Sequence, residues 1–121
     1  MNRPLWWLAA LAWAGLTFWF SSSPDAQGAA GWLDLSPPRD KLFHAANFGV
    51  LGLLILFASG RPLLAVLLAS LYGAVDELHQ ATVPGRSADV ADWVADTLGA
   101  AFAVTLAVLW QRQRARDRLA R

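Results

Sequence analysis

The sequence predicts an all-α integral membrane bundle of four transmembrane helices, with both termini in the cytoplasm. Three observations predict it. Of 121 residues, 56% are hydrophobic and 16% charged, whereas soluble domains average about 45–50% apolar and about 25% charged. The apolar residues gather into four runs near bilayer length, and the charges between the runs are biased to one side. No internal repeat or long linker divides the chain, so 1–121 reads as one membrane domain.

The helices are expected at about 4–20, 41–59, 62–80 and 89–110, with an Arg-rich cytoplasmic tail at 111–121. The first run, Pro4 to Phe20, has 17 residues and no charge, enough for about 26 Å against a bilayer core of about 30 Å. Trp6, Trp7 and Trp19 stand near its ends, where an aromatic belt places amphipathic rings. A cleaved signal peptide competes for this run, with the small residues Ala26-Gln27-Gly28 after it. The run exceeds the apolar core of about 7–15 residues expected of such a peptide, which favours a retained helix. Ser21-Ser22-Ser23-Pro24 stops it, and Asp25 to Arg39 reads as a loop. The second run, Leu42 to Ser59, has only His44 and Asn47 as polar interruptions. Gly60-Arg61-Pro62 is a helix–helix turn, because Gly suits a helix end and Pro a helix start. The third run continues through Asp76-Glu77-Leu78-His79-Gln80 until Pro84-Gly85 breaks it. The fourth passes from Val90 to Trp110 into the arginine-rich tail.

Orientation follows from the cations. Arg3, Arg61, Arg112, Arg114, Arg116, Arg118 and Arg121 fall on one side, against Arg39, Lys41 and Arg86 on the other, a positive-inside pattern. The expected location is therefore the cytoplasmic (inner) membrane, multi-pass, with the bilayer as the first partner. A net charge of +1 excludes the strongly basic balance of a nucleic-acid binder. The absence of cysteine removes disulfides, thiolate nucleophiles and Cys-ligated metals. No motif calls for a cofactor.

In this topology the start of helix 2, the end of helix 3 and the start of helix 4 meet at the outer face. On helix 2, Asp40, His44 and Asn47 are spaced i, i+4, i+7, beside Lys41. On helix 3, Tyr72, Asp76 and Gln80 share a face with Glu77 next to them, and on helix 4, Asp89, Asp92 and Asp96 share another. Six acids (Asp40, Asp76, Glu77, Asp89, Asp92, Asp96) thus face two fixed cations, Lys41 and Arg86. Protonation, pairing with Lys41, Arg86 or His44, or a divalent cation would each relieve that excess. No spacing matches a known metal loop, so a metal is left open. Acids at the start of helix 4 also suit its dipole, and His79 reads as a solvated residue at the loop edge. Ionisable groups near a membrane are costly, which makes function the default reading.

These residues resemble the VanZ-like membrane protein family. Phe20-Ser21-Ser22-Ser23-Pro24 is similar to that family's exit from helix 1, and Asp40-Lys41-Leu42-Phe43-His44 to its D-K-x-x-H entry to helix 2. Glu77 and Gln80 match its E-x-x-Q segment, and Pro84-Gly85-Arg86 followed by Asp89, Asp92, Thr97 and Gly99 resembles the stretch leading into helix 4. Asp96 stands where the family often has Asn. The resemblance implies a bacterial cell-envelope membrane protein, linked in some members to lower teicoplanin susceptibility. The candidate site is Asp40, Lys41, His44, Glu77, Gln80, Arg86, Asp92 and Asp96.

Three functions fit such a cluster. As an enzyme on a lipid-linked or headgroup substrate, Glu77 or His44 would be the base and a helix 4 carboxylate the acid, with Arg86 and Lys41 holding an anionic group. As a binding module it would take an envelope lipid, a cell-wall precursor or a glycopeptide. As an assembly protein, its polar groups would lock three helices together. The sequence leaves the oligomeric state open, and the small residues Gly49, Gly52, Ala58, Gly99, Ala100 and Ala103 permit close helix contacts within or between chains.

Overall fold

The computed structural model describes residues 2–24 and 38–121. Among them are four helices and no strand: α1 (Arg3–Ser21), α2 (Arg39–Ser59), α3 (Pro62–Gln80) and α4 (Val90–Leu119). The residues proposed for the first long loop, 25–37, lie outside the described residues, as does the signal-peptide cleavage region at 26–28.

Each boundary has a local cause. Pro4 opens α1 and Pro62 opens α3, in the first turn where a missing N–H costs nothing. Gly60 ends α2 in the left-handed region at φ 69°, a conformation that glycine adopts without a Cβ penalty. Asp89 caps α4, its Oδ1 accepting the Ala91 N–H at 2.8 Å. Two boundaries differ from expectation by two residues or more. α2 begins at Arg39, which places Asp40 in its first turn, next to the positive end of the helix dipole. α4 continues nine residues beyond Trp110, because Gln, Arg and Ala in the tail are good helix formers. At about 45 Å, α4 is longer than a bilayer core.

Three helices, α2, α3 and α4, are long and apolar enough to cross a membrane. α1, the first of the four expected spans, has the length but falls short of the other three in mean hydropathy. Its four tryptophans, with Pro4, Thr17 and Ser21, lower the average. Large apolar side chains stand exposed on every helix, among them Leu8, Leu11, Leu42, Leu71, Leu98 and Phe102. That distribution fits a multi-pass membrane protein, whose apolar exterior faces lipid.

α2 is the central helix and touches the other three, with its largest contact on α4. Phe48, Leu51, Ile55 and Leu56 from α2 meet Ala65 and Ala69 of α3, Ala100 and Val104 of α4, and Ala10 of α1. The closest approach is at Gly99: a Cβ there would lie 2.1 Å from the Ala45 carbonyl oxygen and 2.5 Å from its Cα. Gly49 faces Gly99 and Ala103, and Gly52 faces Ala100, so this small-residue stripe is used within one chain. The small residues let the α2 and α4 backbones touch, and that contact sets the height at which their polar ends meet.

Candidate polar site at one end of the bundle

The C-terminal ends of α1 and α3 and the N-terminal ends of α2 and α4 converge, and the ionisable residues gather there. Lys41 of α2 is the electrostatic hub. Its ammonium donates to Asp40 Oδ2 at 3.0 Å, to Asp89 Oδ2 at 2.9 Å and to Asp92 Oδ1. One turn deeper, His44 Nδ1 lies 2.8 Å from Asp96 Oδ1, and its Nε2 is 3.5 Å from Asp92 Oδ2. Asp96 is fully buried. Glu77, also buried, accepts the Asp89 N–H at 3.0 Å through Oε2 and so joins α3 to the cap of α4. Asp89 lies outside the helices, and the Lys41 ammonium, followed by the Ala91 N–H, holds its carboxyl below the ordinary 3.8.

Several buried oxygens have no hydrogen-bond partner: Asp40 Oδ1, Asp76 Oδ1, Glu77 Oε1, Asp96 Oδ2 and Ser21 Oγ. An unsatisfied buried acceptor costs about 1–3 kcal/mol, more when charged, so orphans concentrated in one place call for an explanation. Ser21, Asp40 and Asp76 among them line a cavity of about 380 Å³. Asp40 and His44 of α2, Asp76 and Gln80 of α3, Arg86 of the loop and Asp92 of α4 line it, with Ser21 closing the α1 side.

α1 is tied to this end by polar contacts. Asn47 Nδ2 donates to Thr17 Oγ1 at 3.2 Å, and Trp13 Nε1 donates to the Asn47 carbonyl at 3.1 Å. Tyr72 OH donates to the Ala14 carbonyl at 2.6 Å. Arg86 Nη1 donates to the carbonyls of Ser23 at 2.9 Å and Ser21 at 3.4 Å, so Arg86 closes the end of α1 rather than neutralising Asp89. His79, expected to be solvated, instead stacks on Phe18 at 4.3 Å and shares a hydrogen bond with Ser22 Oγ at 2.8 Å. A ring at the last turn of α3 lies beside α1 whenever the two helix ends are level, a relation that appears only once the helices are assembled.

A second cavity, also about 380 Å³ and almost wholly apolar, runs between α1 and α2. Trp13, Leu16, Ala46 and Val50 line it, and it shares Thr17, Phe20, Phe43 and Asn47 with the polar cavity.

Asp40, Lys41, His44, Glu77, Asp92 and Asp96 are brought into one connected network, while Gln80 and Arg86 lie on the cavity wall. Asp76, absent from the candidate site, lines the same cavity with an orphaned oxygen. Its signal was present in the sequence: it shares the Tyr72–Gln80 face of α3. Phe20 and Phe43 fall within the segments that resemble the family, whereas Thr17 had no signal, because single polar residues in apolar runs are common in membrane helices.

Taken together, the chain is an α-helical bundle of membrane-spanning character with a polar cavity at one end. It belongs to the VanZ/LLP1 family, whose model matches residues 6–111. No curated protein and no solved structure matches the chain.

Proposed function

We propose that this protein is a four-span protein of the bacterial inner membrane that takes the headgroup of a lipid-linked envelope molecule in its polar cavity. In this reading α1 crosses the membrane with the other three, both termini are cytoplasmic, and the cavity faces the outer leaflet. The observation that carries it is the adjacency of the two cavities, which share four wall residues. A polar chamber and an apolar groove that share Thr17, Phe20, Phe43 and Asn47 in their walls together suit an amphiphile: headgroup among the carboxylates, hydrocarbon between α1 and α2. His44 supplies a proton-accepting atom on the wall of that chamber and the unpartnered Glu77 Oε1 lies close to His44 behind it, an arrangement a hydrolase or transferase could use at a headgroup.

The second reading, lowered susceptibility to teicoplanin-type lipoglycopeptides, is favoured by the family and by the apolar groove, which would suit a lipoglycopeptide's hydrocarbon chain. Size weighs against direct capture. A cavity of about 380 Å³ is at the small end of ligand sites, which span about 300–1,000 Å³, and a glycopeptide body exceeds it. An effect on susceptibility would then act through the lipid-linked molecule.

The test is crosslinking in nanodiscs with a phosphate-headgroup lipid that carries a photoreactive chain. Adducts should concentrate on residues 13–20 and 43–50. Labelling spread evenly over the exposed apolar residues of all four helices would refute the reading. Catalysis would appear as a change in envelope-lipid composition in cells making the wild type but not Glu77→Gln.

A further inference from the structure

The polar network holds one ring nitrogen of His44, a Glu77 carboxylate oxygen and an Asp92 carboxylate oxygen within 4.8 Å of one another. We propose that these three side chains form a divalent transition-metal site, for an ion such as Zn²⁺ or Mn²⁺, at the wall of the polar cavity.

Four observations converge on it. First, the His44 ring is oriented as a metal ligand's ring is. Its Nδ1 meets the Asp96 carboxylate at 2.8 Å, which leaves Nε2 as the ring nitrogen on the Asp92 side; with Nδ1 donating to that carboxylate, the Nε2 lone pair would face an ion. A carboxylate behind the imidazole is the usual support for a ligating histidine, since it fixes the tautomer and raises basicity. Second, the distance from Nε2 to Asp92 Oδ2 is 3.5 Å, too long for a good N–H···O bond. Two ligands each about 2.1 Å from one tetrahedral ion stand roughly 3.4 Å apart. Third, Glu77 is 94% buried, its relative exposure being 6%, and its Oε1 has no partner. A bound cation would satisfy that atom, while Oε2 stays on the Asp89 N–H. Fourth, the charge balance favours a further cation. Lys41 is shared among three carboxylates and Arg86 Nη1 among two carbonyls, leaving the six acids under-compensated.

The donor set selects the ion. One imidazole and two carboxylates suit first-row ions of the Zn²⁺ and Mn²⁺ kind, whereas Ca²⁺ wants six to eight oxygens and Mg²⁺ an octahedral oxygen shell. His44 and Asp92 both border the cavity, so a fourth coordination position would point into it, the open position that distinguishes a catalytic from a structural ion. Such an ion would also give an otherwise acidic cavity affinity for an anionic headgroup. The site itself stands on its three ligands and does not depend on which amphiphile the cavity takes.

The experiment is a titration of the untagged full chain, stripped with chelator in detergent, against ZnCl₂ and MnCl₂ alone, with bound metal measured by mass spectrometry after dialysis. One ion per chain is expected for the wild type, at least 100-fold weaker binding for His44→Gln and Glu77→Gln, and no change for His79→Gln. Asp96→Asn, which acts through His44 as a positioning residue, should weaken affinity about 10–100-fold. X-ray absorption on the Zn²⁺-loaded wild type should show imidazole scattering with N and O neighbours at about 2.0–2.2 Å. This reading needs no variant to fold. A wild type that takes up no ion overturns the proposal, as do ion uptake without imidazole scattering and equal affinity in a folded Glu77→Gln. Lipid crosslinking lost while metal uptake persists would refute the headgroup reading and leave the metal site intact.

Discussion

At the scale of single residues, Lys41 holds the network together. Three carboxylates share its ammonium, and its side chain is 32% exposed. Removing a partner from a buried ion pair costs about 3–5 kcal/mol, and solvent screening at this exposure reduces the expectation to about 1–3 kcal/mol. Lys41→Met should lower the thermal unfolding midpoint, and Lys41→Met combined with Asp92→Asn should recover part of the loss. A double variant no more stable than Lys41→Met would contradict the shared-charge account. Acid sensitivity has a related origin at Asp89, whose carboxyl is held below 3.8 by Lys41 first and the Ala91 N–H second. A carboxyl with a lower pKa in the folded state contributes stability that is fully present above its unfolded value and disappears as pH falls through the folded one. Between pH 5 and pH 3 the unfolding midpoint should therefore fall more for the wild type than for Asp89→Asn; parallel curves would sink the assignment. The sequence showed which residues would gather, because i, i+4 and i, i+3 spacings fix shared faces. It could not show that Lys41 takes Asp89 while Arg86 goes to α1, since those choices depend on how far each helix is rotated about its axis.

Among the elements, the α2–α4 contact governs how these groups meet. Gly99 lets the α4 backbone rest on Ala45 of α2, and an added Cβ would come within 2.1 Å of a carbonyl oxygen, a backbone atom with no freedom to retreat. Overpacking costs about 1–3 kcal/mol when side chains can yield, so Gly99→Ala should exceed that range. Gly15 of α1 is the control, because a Cβ added there would meet nothing within 4 Å. At that position Ala should be neutral or stabilising by up to about 1 kcal/mol through helix propensity. Unfolding in detergent by circular dichroism reads both, and equal midpoints for the two variants would refute the close-contact account. Helix existence is plain from the four apolar runs and the Gly60–Pro62 turn, which fall where expected. Helix ends are less plain. The tail's arginines suggest the end of α4 because charge marks the end of a membrane span, whereas the same residues are good helix formers and carry the helix on into water. The small residues of α2 and α4 are visible in the sequence too, but only assembly shows that they face each other within one chain.

For the whole molecule, the two ends of the bundle carry different charges. Arg3 approaches Gly60 at the turn between α2 and α3, and Gly60, Pro62, Gln111 and Arg112 border one cavity, so Arg3, Arg61 and the arginines of the α4 extension share an end. The carboxylate network lies at the other. If the basic end is cytoplasmic, as a positive-inside bias of this size favours, the α4 extension stands beside the inner leaflet, where each arginine would add about 1 kcal/mol of attraction to anionic lipid. The chain has no cysteine, so single thiols report orientation without background. Thr82 is exposed at the carboxylate end and Ala120 at the basic end. In intact cells a membrane-impermeant maleimide should label Thr82→Cys and spare Ala120→Cys, with both labelled after lysis. The reverse pattern would turn the polar cavity toward the cytoplasm, and the headgroup it could meet would then be one on the inner leaflet. Protection of both positions in intact cells, followed by labelling of both on lysis, would put residues 82 and 120 on the same side and remove α4 from the set of spanning helices. Labelling of Thr82→Cys alone requires α4 to cross between residues 82 and 120, and it sets the cavity on the side where envelope precursors are exposed.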